Sequence, residues 1–134
     1  MNNQKFNFSE MVCFSLYATS NAMIRDYRLP LKAHDLTYPQ FIVMMSLWNK
    51  DNISIKEISK TTLFDAGTLT QILNNIEKKQ FITSIPSITD KRSKTIVVTE
   101  KGRKLEVDTS HIFKDMECKL DLSEEEQKAI IGAC

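Results

Sequence analysis

The sequence predicts a mainly α-helical fold with one small β-hairpin. The 134 residues include only 3 glycines and 3 prolines, which is few for a loop-rich β protein. Apolar residues recur at helical spacing through most of the chain. The two β-type runs, FITSIP and KTIVVT, are neighbours, separated only by the polar segment SITDKRS. The length is sufficient for one domain with a real core.

Two helices are predicted in the N-terminal third of the chain. The first spans about residues 8 to 32, with apolar side chains among polar ones and Pro30 near its end, where a helix weakens. The second begins within TYPQ, where Thr37 and Gln40 have the spacing of a reciprocal capping box and Pro39 is tolerated in the first turn. It runs through FIVMMSLW to about Asn49, with its large apolar residues assigned to the core.

The next two helices form a helix-turn-helix. After a turn at KDN, Ser54 and Glu57 form a second capping-box pattern and open a short helix that ends near Thr62. Asp65 can then cap the helix AGTLTQILNNIEKK, whose apolar residues fall at i, i+3, i+4 and i+7: Leu69, Ile72, Leu73 and Ile76. A short helix followed by an amphipathic one is typical of a DNA-reading helix-turn-helix.

The β-hairpin that follows predicts a wing, and two further helices complete the chain. Pro86 suits an edge position of this hairpin, where its missing N–H costs no ladder bond. Thr99 can cap a long helix of about residues 100 to 119, and Ser123 with Glu126 opens a last helix. The predicted architecture is therefore a winged helix-turn-helix framed by N- and C-terminal helices, within a single domain of residues 1–134.

Charge is unevenly distributed along the chain, although the net charge is only +1. Residues 54–104 carry ten basic and five acidic side chains, whereas residues 105–134 carry three basic and eight acidic ones. A basic middle beside an acidic tail indicates that the middle meets a polyanion, with ordinary solvated surface charge as the alternative.

Several classes of protein are disfavoured. The polar N-terminus has no apolar signal region, and the aliphatic run FIVMM is far too short to span a membrane. Three cysteines without a close pair argue against a disulfide scaffold or a zinc site, so we expect a cytoplasmic protein with reduced thiols and no cofactor. His34 and His111 show no ligand spacing and are interpreted as structural or surface residues.

Cys13 lies one helical turn before Tyr17, so the two share a helix face. Core packing is one explanation, because free cysteine behaves as a small hydrophobe. A second is redox chemistry: a phenol that donates to sulfur stabilises the thiolate, which is the form that attacks peroxides. All three tyrosines, Tyr17, Tyr27 and Tyr38, lie in the first 38 residues of the chain.

The residues DAGTLT and TDKRSKTIVVTEKG resemble the recognition-helix opening and the wing of the MarR family of bacterial transcription regulators. The N-terminal half is similar to the organic hydroperoxide resistance regulators (OhrR type), which place a peroxide-sensing cysteine early in the first helix, near tyrosines. The resemblance implies a homodimeric repressor on a pseudo-palindromic double-stranded operator, with a DNA-binding lobe at about 36–100 and dimerisation helices in 1–35 and 101–134. It implies that organic hydroperoxide oxidises Cys13, which Tyr17, Tyr27 and Tyr38 support.

In one subgroup of these regulators, a second cysteine in the long helix after the wing captures the oxidised sulfur of the other subunit. Cys118 lies in the corresponding stretch, and an inert helix residue is the alternative. The terminal Cys134 is assigned no role.

The DNA contacts are expected on the helix face opposite the apolar stripe and on the wing. Thr68, Thr70 and Gln71 are the candidates for base edges, with Asn74 and Lys78 nearer the phosphates. Arg92 would enter the minor groove from the wing, with Asp90 orienting its guanidinium. Ala66 and Gln71 stand where relatives often have serine and proline, so the operator sequence is not carried over.

Two other functions remain open. One is a MarR-type regulator that binds a small aromatic ligand between its dimerisation and DNA-binding lobes, with Cys13 incidental. The other is a thiol peroxidase, which is disfavoured because nothing beyond Cys118 would regenerate the thiol.

Overall fold

A computed structural model of the chain describes residues 5–134, so the first four residues of the predicted N-terminal dimerisation segment lie outside the described residues. The fold is mostly helical with a small antiparallel sheet, as predicted. Its elements in chain order are α1 (Val12–Lys32), α2 (Tyr38–Asn49), β1 (Ile53–Ser54), α3 (Ile55–Thr62), α4 (Ala66–Lys78), β2 (Ile82–Pro86), β3 (Lys94–Val98), α5 (Glu100–Leu120) and α6 (Glu124–Ala133).

The first helix begins four residues later than predicted. Asn7 accepts a hydrogen bond from the Ser9 backbone N–H at 3.3 Å and closes a short 3-10 turn over Phe8–Glu10. Met11 then adopts an extended backbone, with φ −92° and ψ 111°, which separates that turn from α1. Cys13 is therefore the second residue of the helix rather than a residue one turn inside it.

Local capping signals define most helix starts. The three predicted capping boxes, Thr37–Gln40, Ser54–Glu57 and Ser123–Glu126, are all formed. The Asp65 carboxylate accepts from the Thr68 N–H at 2.9 Å, and the Thr99 hydroxyl accepts from the Gly102 N–H at 3.1 Å. Each cap satisfies N–H groups that have no partner inside the helix.

The sheet has three strands, whereas the sequence predicted two. β2 and β3 form the expected hairpin, and β1 adds to the other side of β3, in the order β1-β3-β2. The two residues of β1 precede the α3 capping box, and so short a strand has no periodicity to detect. Pro86 lies on the outer strand β2, as expected.

The core lies between the helix-turn-helix, the sheet and the long helices. The predicted stripe of α4 is buried, as are Met44 of α2 and Ile112 of α5. Gly102 on α5 packs directly against the Phe81 backbone, and its carbonyl accepts a hydrogen bond from the Trp48 indole N–H at 3.0 Å. These two contacts fix the start of α5 against α2 and the base of the wing.

The terminal helices leave large apolar side chains in solvent. In α1 these include Val12, Leu16 and Leu29, and in α5 and α6 they include Val107, Phe113 and Ile131. Monomeric proteins rarely expose so much apolar surface on neighbouring elements. Within residues 5–134, none of the helices combines the length and hydropathy that crossing a bilayer requires.

Candidate functional site

The recognition helix α4 presents a polar face to solvent. Its apolar stripe is buried, so the opposite side is exposed, and all five predicted DNA-contacting residues of the helix lie there: Thr68, Thr70, Gln71, Asn74 and Lys78. The structure brings these side chains to one surface, as the spacing predicts. Contact with DNA remains a prediction for each of them.

Two of these side chains are already engaged within the helix. The Thr68 hydroxyl donates to the Asp65 carboxylate at 2.6 Å, and the Thr70 hydroxyl donates to the Ala66 carbonyl at 2.7 Å. Each hydroxyl therefore offers lone pairs as an acceptor, whereas the amides of Gln71 and Asn74 offer both donors and an acceptor. Hydrogen bonds from Thr68 hold the pKa of the Asp65 carboxyl below its usual range.

The wing differs from expectation in the role of Asp90. Its carboxylate accepts from the backbone N–H of Arg92 at 2.9 Å, rather than from the guanidinium. Aspartate commonly bonds the N–H two residues on, which closes a local turn. Asp90 thus shapes the loop, and among residues 5–134 the Arg92 guanidinium forms no ion pair.

The basic side chains on this side of the molecule divide into paired and unpaired groups. Lys79 is 3.3 Å from Asp35, and Arg103 is 2.6 Å from Asp51, so both serve the fold. Within the described part of the chain, no carboxylate lies within 4.0 Å of the remaining basic groups of α4 and the wing: Lys78, Lys91, Arg92 and Lys94. This surface holds uncompensated positive charge suited to phosphate.

Cys13 lies exposed in the first turn of α1. Met11 makes no side-chain cap hydrogen bond, and none of the side chains in residues 5–134 replaces it, so the positive end of the helix dipole favours negative charge there. Phe8 and Phe14 pack edge to face beside it, with ring centroids 5.1 Å apart. The thiol is thus accessible and has an apolar border.

The three tyrosines do not gather around Cys13 within one chain. Tyr17 is on α1 and exposed, whereas Tyr27 is buried and its ring lies 4.7 Å from that of Tyr38. Cys13 and Tyr27 are fourteen residues apart on one helix, which is about 21 Å along its axis. Burial, chiefly, raises the pKa of Tyr27 to about 12 and also raises the pKa of Tyr38.

Cys118 and Cys134 are both exposed. Cys118 precedes Lys119, which is 3.2 Å from Asp26, so this end of α5 lies beside the C-terminal half of α1. Cys118 is therefore at the opposite end of α1 from Cys13 within one chain. A disulfide between Cys13 and Cys118 of the same chain is incompatible with this geometry, because the two Cα atoms must approach within about 7 Å.

Tertiary structure also assembles features that the sequence did not predict. The rings of His34 and His111, 77 positions apart, lie 6.5 Å apart. No cluster of three metal-ligating side chains occurs in residues 5–134. Sequence spacing carries no signal for such a contact, since His34 lies between helices and His111 on α5.

An open cavity of about 530 Å³ lies between α2, α3 and α5. Its lining includes Phe41, Trp48 and Phe113, together with Ser46. The Ser46 hydroxyl is buried and has no hydrogen-bond partner in the described part of the chain. Buried hydroxyls are normally satisfied, so Ser46 is an exception at the edge of this cavity.

Comparisons with known proteins agree with this geometry. Residues 27–108 match the family described as Transcriptional regulator SarA/Rot. The HTH-type transcriptional regulator SarZ of Staphylococcus haemolyticus is 34% identical over 129 residues, which cover 93% of this chain and 85% of SarZ.

Solved structures with the same fold include two DNA complexes. MepR of Staphylococcus aureus bound to DNA is 27% identical, with a TM-score of 0.83 over 96% of this chain and 94% of MepR. A mutant of MarR from E. coli complexed with operator DNA superposes with a TM-score of 0.84 over 96% of each chain, at 22% identity. These comparisons confirm the predicted winged-helix fold.

Proposed function

This chain belongs to the SarA/Rot family of transcriptional regulators, which shares the MarR-type winged-helix fold, and on that premise we propose that it is a homodimeric, peroxide-responsive DNA-binding repressor of the organic hydroperoxide resistance type. The observation that carries DNA binding is the exposed polar face of α4 beside a basic wing whose cations form no ion pair within residues 5–134. We also infer that the protein acts in the cytoplasm, where the operator DNA is located.

In the proposed complex, α4 enters the major groove and the wing lies along the minor groove. Thr68, Thr70 and Gln71 contact base edges, while Asn74 and Lys78 contact the backbone. Arg92 enters the minor groove, and Asp90 acts by fixing the turn that presents it. Residues 36–100 form the DNA-binding lobe. The exposed apolar residues in the segments 1–35 and 101–134 support a dimer interface there.

DNA binding is tested by fluorescence anisotropy with a duplex enriched from a random-sequence pool by the protein. Affinity should fall steeply with salt, because phosphate contacts release counterions. Arg92→Ala should lose about 1–3 kcal/mol of binding free energy and lower the salt slope by about 1. Lys114→Ala on α5, outside the proposed DNA-contacting surface, is the control, and size-exclusion chromatography checks that it associates as the parent does. Full binding by Arg92→Ala would contradict the wing assignment.

Cys13 is the proposed peroxide sensor, and its support is its exposure in the uncapped first turn of α1. Because Tyr27 and Tyr38 are too far away in the same chain, their proposed contact with the thiolate requires Cys13 of a second subunit. An apolar groove of about 380 Å³, lined by Tyr27, Tyr38 and residues of α5 and α6, is open to receive it. Tyr17 would then border the thiol from its own helix.

The proposed oxidation has two steps. The Cys13 thiolate attacks one oxygen of the hydroperoxide O–O bond, giving a sulfenic acid and an alkoxide that leaves and is protonated to the alcohol. The Cys118 thiol of the second subunit then attacks the sulfenic sulfur, which forms a disulfide and releases water. A regulator of this kind consumes one equivalent of peroxide, whereas a thiol peroxidase turns over with a thiol reductant.

The sensor is tested with Cys13→Ser. This variant should bind the duplex as the parent does and stay bound after treatment with cumene hydroperoxide, whereas Cys134→Ser should be released like the parent. Release requires oxidation to weaken binding by only a few kcal/mol, because each 1.4 kcal/mol is about tenfold in affinity. Release of Cys13→Ser with the parent's dose response would reject the sensor role.

A second candidate function is control by a small aromatic ligand, which the cavity beside Ser46 favours. Aromatic rings would pack on Phe41 and Trp48, and a polar substituent would bond the free hydroxyl. Dissociation of the Cys13→Ser protein from DNA by benzoate or phenol, abolished in Ser46→Val, would favour this function over redox control.

A further inference from the structure

The tip of the wing carries a fully exposed isoleucine. We propose that Ile88 contacts the floor of the minor groove and selects A·T over G·C at the base pair it covers. Its relative exposure is 101%, so the folded protein buries none of this side chain. The inference rests on the proposed DNA binding and adds a specificity-determining residue to it.

The loop holds Ile88 outward through the residues on either side. The Ser87 hydroxyl accepts from the Thr89 N–H at 3.3 Å and lies 3.1 Å from the Thr89 hydroxyl. The Ser87 N–H donates to the Ser93 carbonyl at 3.0 Å and closes the loop below. These bonds fix the backbone around Ile88, so presenting the side chain costs little further ordering on binding.

The surroundings of Ile88 indicate a nucleic acid rather than an apolar protein surface. Lys91 and Arg92 lie in the same loop, and Lys94 is the first residue of β3. None of the three cations is within 4.0 Å of a carboxylate in residues 5–134. A protein partner would have to compensate a wing tip that carries these three cations against the single carboxylate of Asp90. A minor groove supplies phosphates on both rims and an apolar sugar wall between them, and aliphatic side chains are known to insert there.

The selectivity follows from the edges of the bases. In the minor groove, G·C carries the guanine N2 amino group, whereas A·T presents only acceptors. An aliphatic side chain cannot accept from N2, so covering a G·C pair removes a donor from water without a partner. Covering an A·T pair also shields acceptors, but no amino group projects into the space that the side chain fills.

The experiment compares three duplexes that differ at one base pair. The starting duplex is the one enriched from a random pool, and the pair chosen is one whose minor groove the wild-type protein protects from hydroxyl radicals outside the recognition-helix half-sites. That pair is made A·T, G·C or inosine·C, which is G·C without the N2 amino group. Dissociation constants and salt slopes are measured for wild type, Ile88→Ser, Ile88→Val and Arg92→Ala.

We expect the wild type to bind the A·T and inosine·C duplexes about tenfold more tightly than the G·C duplex. Ile88→Ser should bind all three within about twofold of one another, because its hydroxyl can accept from N2, and its salt slope should match the wild type. Ile88→Val should discriminate between the duplexes as the wild type does. Arg92→Ala should have a lower salt slope but the same discrimination.

Three results would overturn the proposal. If Ile88→Ser discriminates between the duplexes as the wild type does, Ile88 makes no such contact. The proposal that the protein binds DNA would not be affected by this result. Equal wild-type affinity for G·C and inosine·C would reject the N2 mechanism. Wild-type protein that enriches and binds no duplex would reject the proposed function and this inference together.

Discussion

Gly102→Ala tests the close contact between α5 and the base of the wing. A Cβ at this position would meet the Phe81 carbonyl oxygen well inside van der Waals contact, with the Phe81 carbonyl carbon at 3.1 Å and Cγ1 of Val98 at 2.8 Å. Two of these three atoms belong to backbone and cannot rotate away. The helix or the base of the wing must therefore shift.

The size of the effect follows from two opposing contributions. Alanine is favoured over glycine by about 0.8–1.0 kcal/mol in a helix interior and by less at Gly102, which is the third residue of α5. Overpacking a well-packed interior costs about 1–3 kcal/mol and occasionally more, and a clash with backbone lies at the upper end. We therefore expect Gly102→Ala to lose about 2 kcal/mol in the free energy of unfolding, or about 8 °C in Tm.

The assay is urea unfolding followed by circular dichroism, at one protein concentration because the proposed dimer would make stability depend on concentration. Gly132→Ala on α6 is the matched control, since no atom of residues 5–134 in the same chain lies within 4 Å of a Cβ there. It should be neutral or slightly stabilising, because only helix propensity changes and the site is near a helix end. If Gly102→Ala is as stable as Gly132→Ala with an unchanged m-value, the close approach of α5 to Phe81 is wrong.

Three further predictions concern pH and thiols. The Ser54 backbone N–H, with further hydrogen bonds from the side chains of Lys50 and Ser54, lowers the pKa of Glu57 to about 2. The ionised Glu57 therefore stabilises the fold above the unfolded pKa near 4.5, and this contribution is lost as pH falls toward 2. Glu57→Gln should flatten the acid limb of a curve of unfolding free energy against pH. Burial is the main cause that raises the pKa of Tyr27 to about 12. The neutral phenol therefore stabilises the fold below pH 10, and this contribution is lost as pH rises toward 12. The Tm of Tyr27→Phe should fall less than the Tm of the wild type over the same alkaline range. Cumene hydroperoxide should give a covalent dimer on non-reducing gels, absent in Cys118→Ser and kept in Cys134→Ser; a crosslink that persists in Cys118→Ser would reject the two-cysteine mechanism.

Local signals in the sequence determined where several helices begin and which face of α4 is buried. Thr37, Ser54 and Ser123 each formed the predicted capping box, because a cap involves residues only three positions apart. The spacing of Leu69, Ile72, Leu73 and Ile76 determined which face of α4 is buried, and hence which face is available to DNA. Such information is contained within one or two helical turns.

Tertiary structure decided the features that depend on distant partners. β1 exists only because β3 lies beside it, and two residues carry no pattern of their own. Asp90 does not follow this division, because its bond to the Arg92 backbone N–H is local and still differs from the guanidinium contact expected from the sequence.

The redox site shows the same division between sequence and structure. The sequence contained a lone N-terminal cysteine and three tyrosines, and their proximity in the chain favoured one cluster. The rigid rise of α1 keeps Cys13 about 21 Å from Tyr27 along the helix, and Tyr27 packs on Tyr38 instead. The sequence by itself therefore determined the residue types, the helix faces and, through one predicted helix, the distance between Cys13 and Tyr27. The tertiary structure decided that Tyr27 packs on Tyr38 and that the end of α5 lies beside α1, because these contacts join elements that are distant in the chain.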